Sequence, residues 1–331
     1  MRTLDADELG LASPTPAAGV ETWRTLADVP DDPPGELLFG MVEPCGSTLA
    51  YAAPGTGKGM TGAFLAIEAQ GAGMLPCIYD AERRPAEWSR RVSGLKGDRS
   101  RVVYIEPSDL PRSLIGRPLW DCAPAIGNKM RAAGADLLII DSALPAVGLG
   151  EDRLRSDAQV PFLYASALDA LSYPSLSFGH PPKGQPEGEP FGSFAWVAAH
   201  RLTWLGTRAE GTSHAIRWRP KKRNERGHIP GILLTFNYGP DNRPASVTRA
   251  DDDETTRDWL LAALVHGARS SADLADELLA ESDDSGPGEL DRIKERIGKA
   301  LRRMARDGWL VKNGTVGSRV TWSLRLQQEG R

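Results

Sequence analysis

The residues best suited to chemistry lie in Pro54-Gly55-Thr56-Gly57-Lys58-Gly59-Met60, where the short apolar stretch Ser47 to Ala53 runs into a glycine-rich turn ending in Gly-Lys. Glycines let successive backbone N–H groups turn inward on an anion. A lysine can then reach the β- and γ-phosphates, and a helix behind the loop adds its positive N-terminal end. Residues 54–60 are therefore the candidate binders of the phosphates of ATP. The eight-residue pattern for such a loop would have Gly at Ala52 and Ser or Thr at Gly59. The second departure bears on magnesium, because that hydroxyl ordinarily ligates the ion bridging the phosphates. Water, Thr56 or Thr61 would have to replace it, or hydrolysis is weak.

Two carboxylates complete the set. Asp136-Leu137-Leu138-Ile139-Ile140-Asp141 reads as a buried strand ending in an acid, and Asp141 at that end would hold Mg2+ through water while Lys58 neutralises phosphate charge. Hydrolysis also needs a group to orient or deprotonate the attacking water. Glu82, just past the strand Cys77-Ile78-Tyr79-Asp80, is the candidate base, with Asp80 as its rival. The reading expects that strand to lie next to the phosphate loop's strand.

These side chains need a scaffold. The pattern predicts strands at 47–53, 75–80, 101–105 and 136–141 with helices after Lys58, around 85–94 and around 122–133. Such alternation predicts an α/β fold with a mainly parallel sheet covered on both faces. In open parallel sheets ligands sit at the carboxyl ends of the strands. The Pro/Gly-dense stretch from Tyr173 to Gly192 reads as a surface loop, and Ala215–Arg219 and Ile232–Phe236 read as strands flanking the basic tract Lys221 to Gly227 as in a hairpin.

Bulk properties bound the class. The chain has 331 residues, 40% hydrophobic and 25% charged, and a formal net charge of −4, which suits a globular protein with one large core and a smaller domain. No apolar run approaches the roughly 20 residues that span a bilayer, so no membrane partner is expected. Cys45, Cys77 and Cys122 fall at no metal-ligand spacing and cannot all pair, which fits a reducing cytoplasm.

Residues 1–35 read as a loosely ordered arm and 36–250 as the α/β domain, with the acidic cluster Asp251 to Glu254 as boundary. From 255 to 326 helical spacing predicts three helices, followed by a hairpin turning at Asn313-Gly314. Three helices and a hairpin predict a winged-helix module, which binds DNA or mediates protein contacts. Arg292, Lys299, Arg302 and Arg303 of its third helix are the candidate DNA contacts there.

Asp80-Ala81-Glu82 after the second strand resembles the catalytic-glutamate segment of RecA-fold ATPases, and Glu82 through Val92 resembles the hexameric replicative helicases of the plasmid RepA type. Gly179-His180-Pro181-Pro182-Lys183 is similar to that family's His-His-x-x-Lys motif, with only the second histidine kept as His180. Gly192-Ser193-Phe194-Ala195-Trp196 and Arg201 are similar to its Gly-Ser-containing helix and arginine, and Lys221-Lys222-Arg223 resembles its Lys-x-Arg element. The resemblance spans about residues 35–240 and implies a RecA-like P-loop core, ATP and Mg2+ as cofactors, and a ring-shaped homo-oligomer. Lys221 or Arg223 would reach the γ-phosphate held by the neighbouring subunit. Single-stranded DNA would pass through the channel, touching Arg153 and Arg155, and the winged helix would bring the ring to an origin or a replication partner. An ATP-gated binding or assembly factor with weak hydrolysis is the alternative that Gly59 keeps open.

Overall fold

A computed structural model of the protein describes residues 35–148, 157–209, 214–224, 229–241, 243–265, 267–280, 289–316 and 319–325. In chain order the elements are β1 (Ser47–Ala52), α1 (Lys58–Gly71), β2 (Pro76–Asp80), α2 (Pro85–Gly94), β3 (Val103–Ile105), α3 (Leu119–Ala133), β4 (Leu137–Asp141), α4 (Ala143–Val147), α5 (Gln159–Leu171) and β5 (Ser175–Gly179). They continue with α6 (Phe194–Ala199), β6 (Leu202–Arg208), β7 (Ala215–Arg223), β8 (Gly231–Tyr238) and β9 (Pro244–Asp252). The last part comprises α7 (Asp253–Leu264), β10 (Arg269–Ser270), α8 (Ser271–Ala280), α9 (Glu289–Arg306), β11 (Leu310–Val316) and β12 (Arg319–Leu324).

Among the described residues, nine strands form one sheet in the order β3-β2-β4-β5-β1-β6-β7-β8-β9. The pairs from β3 to β6 are parallel and those from β6 to β9 antiparallel. This is an α/β core with a mainly parallel sheet, as expected. Every residue of β1 and β5 is buried, because helices cover both sides. Ala63, Phe64, Trp88 and Val92 of α1 and α2 pack in one apolar cluster, and Cys122, Ile126, Tyr164, Leu168 and Trp196 of α3, α5 and α6 in the other. The connections follow local chemistry. Pro85 opens α2, where its missing N–H costs nothing, and Gly134 ends α3 in a left-handed conformation.

Several expectations need correction. β2, which leads to Glu82, is not beside β1: β4 and β5 lie between them. The stretch from Tyr173 to Gly192 is not all surface loop, since it contributes β5, the inner strand pairing with β1. The tract at 221–223 continues β7 rather than forming a tip. The C-terminal hairpin does not turn at Asn313-Gly314. Those residues belong to β11, whose register shifts there, while the Asn313 side chain donates to Ser323 Oγ and the strand runs on to Val316. Arg153 and Arg155, and the arm except for Gly35, lie outside the described residues.

In the C-terminal part, α7, α8 and α9 surround a core that includes Leu260, Leu274, Leu278, Ile293, Ile297, Leu301 and Met304. A small antiparallel sheet, β10-β12-β11, accompanies them.

Candidate nucleotide site

The turn between β1 and α1 bends through Gly55 (φ 73°) and Gly57 (φ 118°), a region where a side chain would strain the backbone. Gly57 stands at the N-terminus of α1, so the first helical N–H groups face the loop. Lys58 folds back into the turn, 7% exposed, and its ammonium donates to the carbonyls of Ala52 (2.8 Å) and Ala53 (3.2 Å). It also lies 3.0 Å from His180 Nδ1, at the end of β5. Burial lowers the Lys58 pKa to about 8, with Asp141 and Glu82 opposing that fall. Burial and the neighbouring Lys58 charge lower His180 to about 4, so near neutral pH the imidazole is uncharged and Nδ1 accepts from the ammonium.

Glu82 reaches this site although its strand is two places away. The N–H groups of Ala81 and Glu82 both donate to Asp141 O (2.9 and 3.3 Å), which lashes the turn after β2 to the end of β4. Glu82 Oε1 accepts from Ser142 Oγ at 3.0 Å, leaving a partly exposed carboxylate beside Asp141. Asp80 is fully buried and committed elsewhere. Its oxygens accept from Glu82 N, Arg84 N and Tyr104 Oη, so it builds the turn that carries Glu82. Asp141 is raised to about 6, by burial first and then by Glu82, while Arg91 pulls it down.

Arg91 and Arg208 belong to the site and went unnoticed in the sequence. Arg208, at the end of β6, donates to Gly55 O at 2.9 Å and holds the loop from its outer side. Arg91, on α2, lies over Gly59. A Cβ at position 59 would come 2.4 Å from Arg91 Nη1, so the guanidinium fills the place of the missing hydroxyl side chain. The same guanidinium is 2.7 Å from Glu87 and 4.0 Å from Asp141. Both threonine hydroxyls are already hydrogen-bonded within the fold. Thr56 Oγ1 donates to Ala53 O, while Thr61 is fully buried, donates to Gly57 O and accepts from Trp218 Nε1. Among the described residues no three His, Cys, Asp or Glu side chains gather as a metal site. At the position the loop pattern implies, Gly59 offers no hydroxyl and the Arg91 guanidinium stands in its place, so the residues there do not fit a magnesium ion. The signal available in the sequence was Gly59 itself.

Two hollows flank the loop. One of about 380 Å3 is lined by Pro54, Leu144, His180, Lys183 and neighbouring prolines. The other, of about 540 Å3, lies beyond Gly59 and is lined by Met60, Arg90, Arg91, Tyr238 and Arg243 among others.

The remaining predicted residues are not brought here. Lys221 and Arg223 are exposed, and Arg223 pairs in register with Leu202 at the start of β6. They therefore sit at the opposite end of the sheet from Lys58, while Lys222 between them turns inward to donate to Ala198 O. Lys299, Arg302 and Arg303 are exposed on α9, with Lys299 paired to Glu295. Arg292 is on the same helix.

No protein-family profile matches the chain, and no curated protein does. Among solved structures it is similar to a KaiC-like protein from the hyperthermophilic archaeon Pyrococcus horikoshii, at 14% identity and a TM-score of 0.47, over 66% of this chain and 98% of that one. No helix among the described residues is long and apolar enough to cross a membrane.

Proposed function

We propose that the protein binds and hydrolyses ATP at the β1–α1 loop and works as a RepA-like ring on single-stranded DNA. The observation that carries this reading is the convergence of Lys58, Glu82, Asp141 and His180 at the carboxyl ends of the parallel strands, around a loop shaped for phosphates. Lys58 would cross from the loop carbonyls to the β- and γ-phosphates. Glu82, steadied by Ser142, would orient or deprotonate the attacking water. His180, touching Lys58, would couple the state of the nucleotide to β5 and the segment after it. The hollow beside Met60 and Tyr238 would receive the nucleoside.

Lys221 and Arg223 cannot serve the loop of their own chain from the far end of the sheet, which supports a finger supplied in trans by an adjacent subunit. The module of α7–α9 with its small sheet would be a winged helix, and Lys299, Arg302 and Arg303 would meet DNA phosphates. Arg153 and Arg155 are proposed for the channel on sequence grounds alone.

Steady-state ATP hydrolysis with and without single-stranded DNA tests the reading. Stimulation by DNA that Lys58→Ala and Glu82→Gln both remove is the expected result, and turnover indifferent to both substitutions would defeat it. A second reading, an ATP-gated assembly factor with slow turnover, is favoured by the guanidinium over Gly59. It predicts tight nucleotide binding with little hydrolysis in any DNA condition.

A further inference from the structure

Glycine at position 59 has no backbone reason to be there. It lies in the first turn of α1, away from the left-handed region, where glycine is a weaker helix former than alanine. What it does is leave room for the guanidinium of Arg91. Gly59 and Gly62 stand one turn apart and both face α2: a Cβ at 59 would strike Arg91, and one at 62 would lie 2.8 Å from the Trp88 ring and 2.9 Å from Phe178. The two glycines seat Trp88 and Arg91, themselves three residues apart, against α1. Trp88 is 2% exposed, and the Arg91 guanidinium rests over its ring at 5.4 Å, a face that attracts cations. Glu87 and Asp141 flank the guanidinium. An ion pair to Glu87 alone would contribute little and could form in many orientations, so it does not explain why the group is aimed between the loop and Asp141.

We propose that Arg91 is the resident cation of the nucleotide site: its guanidinium takes the place of the divalent ion beside the phosphates, and the triphosphate binds without metal. This rests on the nucleotide reading above and deepens it. Guanidinium groups suit the task because their fork of N–H donors matches phosphate oxygens. Asp141 then serves to aim Arg91 rather than to hold a metal-bound water.

The test is a titration of the full-length protein with ribose-labelled fluorescent ATP, in excess EDTA and in excess Mg2+, for wild type, Arg91→Gln and Gly59→Ser, with thermal melts to confirm folding. Wild type is expected to bind equally in the two buffers, within about threefold, and Arg91→Gln to lose roughly tenfold or more in EDTA and recover much of it with Mg2+. Gly59→Ser, which must push the guanidinium aside while restoring a hydroxyl, should also become metal-dependent. If wild type loses about tenfold or more in EDTA while Arg91→Gln binds as wild type does in Mg2+, the inference fails and the nucleotide site stands. If wild type and Lys58→Ala alike bind nothing in either buffer, the nucleotide reading fails and takes this inference with it.

Discussion

The two ends of the nine-stranded sheet carry charge in opposite ways. At the carboxyl ends of the parallel strands, Lys58, Asp141 and His180 are buried enough for all three pKa values to move. Lys58 is also held by Ala52 O, Ala53 O and His180, and Asp141 pairs with Arg91 of α2. At the other end, Lys221 and Arg223 stand exposed on β7. Burial of charge is costly and is tolerated where partners compensate or function requires it. The first end is assembled within one chain, whereas in the proposed ring the second would serve the loop of another copy.

That contrast can be broken in several places. The largest effect is expected from Arg223→Ala, with Lys221→Ala as its companion. If either residue is a trans finger, turnover should fall by about 10³–10⁵-fold with nucleotide affinity little changed, as read by steady-state hydrolysis beside a binding titration. Glu82→Gln should lower turnover by about 10²–10⁴-fold and leave binding intact; unaltered turnover would return Glu82 to the role of a turn acid. Lys58→Ala should cost on the order of 10²–10³-fold in hydrolysis and, unlike Glu82→Gln, weaken binding as well.

The buried end also makes a pH prediction that the exposed end does not. The Lys58 pKa of about 8 lies below its usual 10.5, and the protonated form is the one that binds phosphate. Affinity should be full below pH 8 and fall by up to about tenfold per pH unit above it, levelling off at the higher pKa of the phosphate-bound lysine, whereas Lys58→Arg, which stays charged, should remain flat. The smallest effect belongs to α9. Lys299→Ala or Arg302→Ala should each reduce the salt dependence of DNA binding by roughly 0.7–0.9 of a counterion in a log–log plot, without altering hydrolysis in the absence of DNA.

The two ends were not equally legible. The loop and β4 were evident because glycine punctuation and an unbroken Leu-Leu-Ile-Ile run have few other uses, and α2 was found with its bounds because Pro85 marks its start. β5 was hidden because its sequence, Ser-Leu-Ser-Phe-Gly, sits among prolines and buries two serines, one of them satisfied by Tyr164 Oη. Local pattern gives no warning of a strand whose polar atoms are answered by tertiary contacts. The place of Glu82 depended on strand order, a long-range property, and its link to Asp141 runs through backbone hydrogen bonds that side-chain chemistry does not announce. Arg91 was legible only as an absence: Gly59 marked a missing hydroxyl, and the helix packing that fills the space appears only in three dimensions. The C-terminal hairpin was foreseen without β10, and its turn was displaced because Asn313-Gly314 forms a register shift within β11.

The claim that joins the two ends is that one chain's loop is completed by another chain's β7, and a mixing experiment tests it most directly. Lys58→Ala lacks the loop cation and keeps the finger; Arg223→Ala keeps the loop and lacks the finger. Each alone should be nearly inactive, and an equimolar mixture, after subunits exchange, should regain about a quarter of wild-type turnover, the fraction of interfaces in a closed ring that pair an intact loop with an intact finger. A mixture as inactive as its components, or an Arg223→Ala protein as active as wild type, would contradict the account.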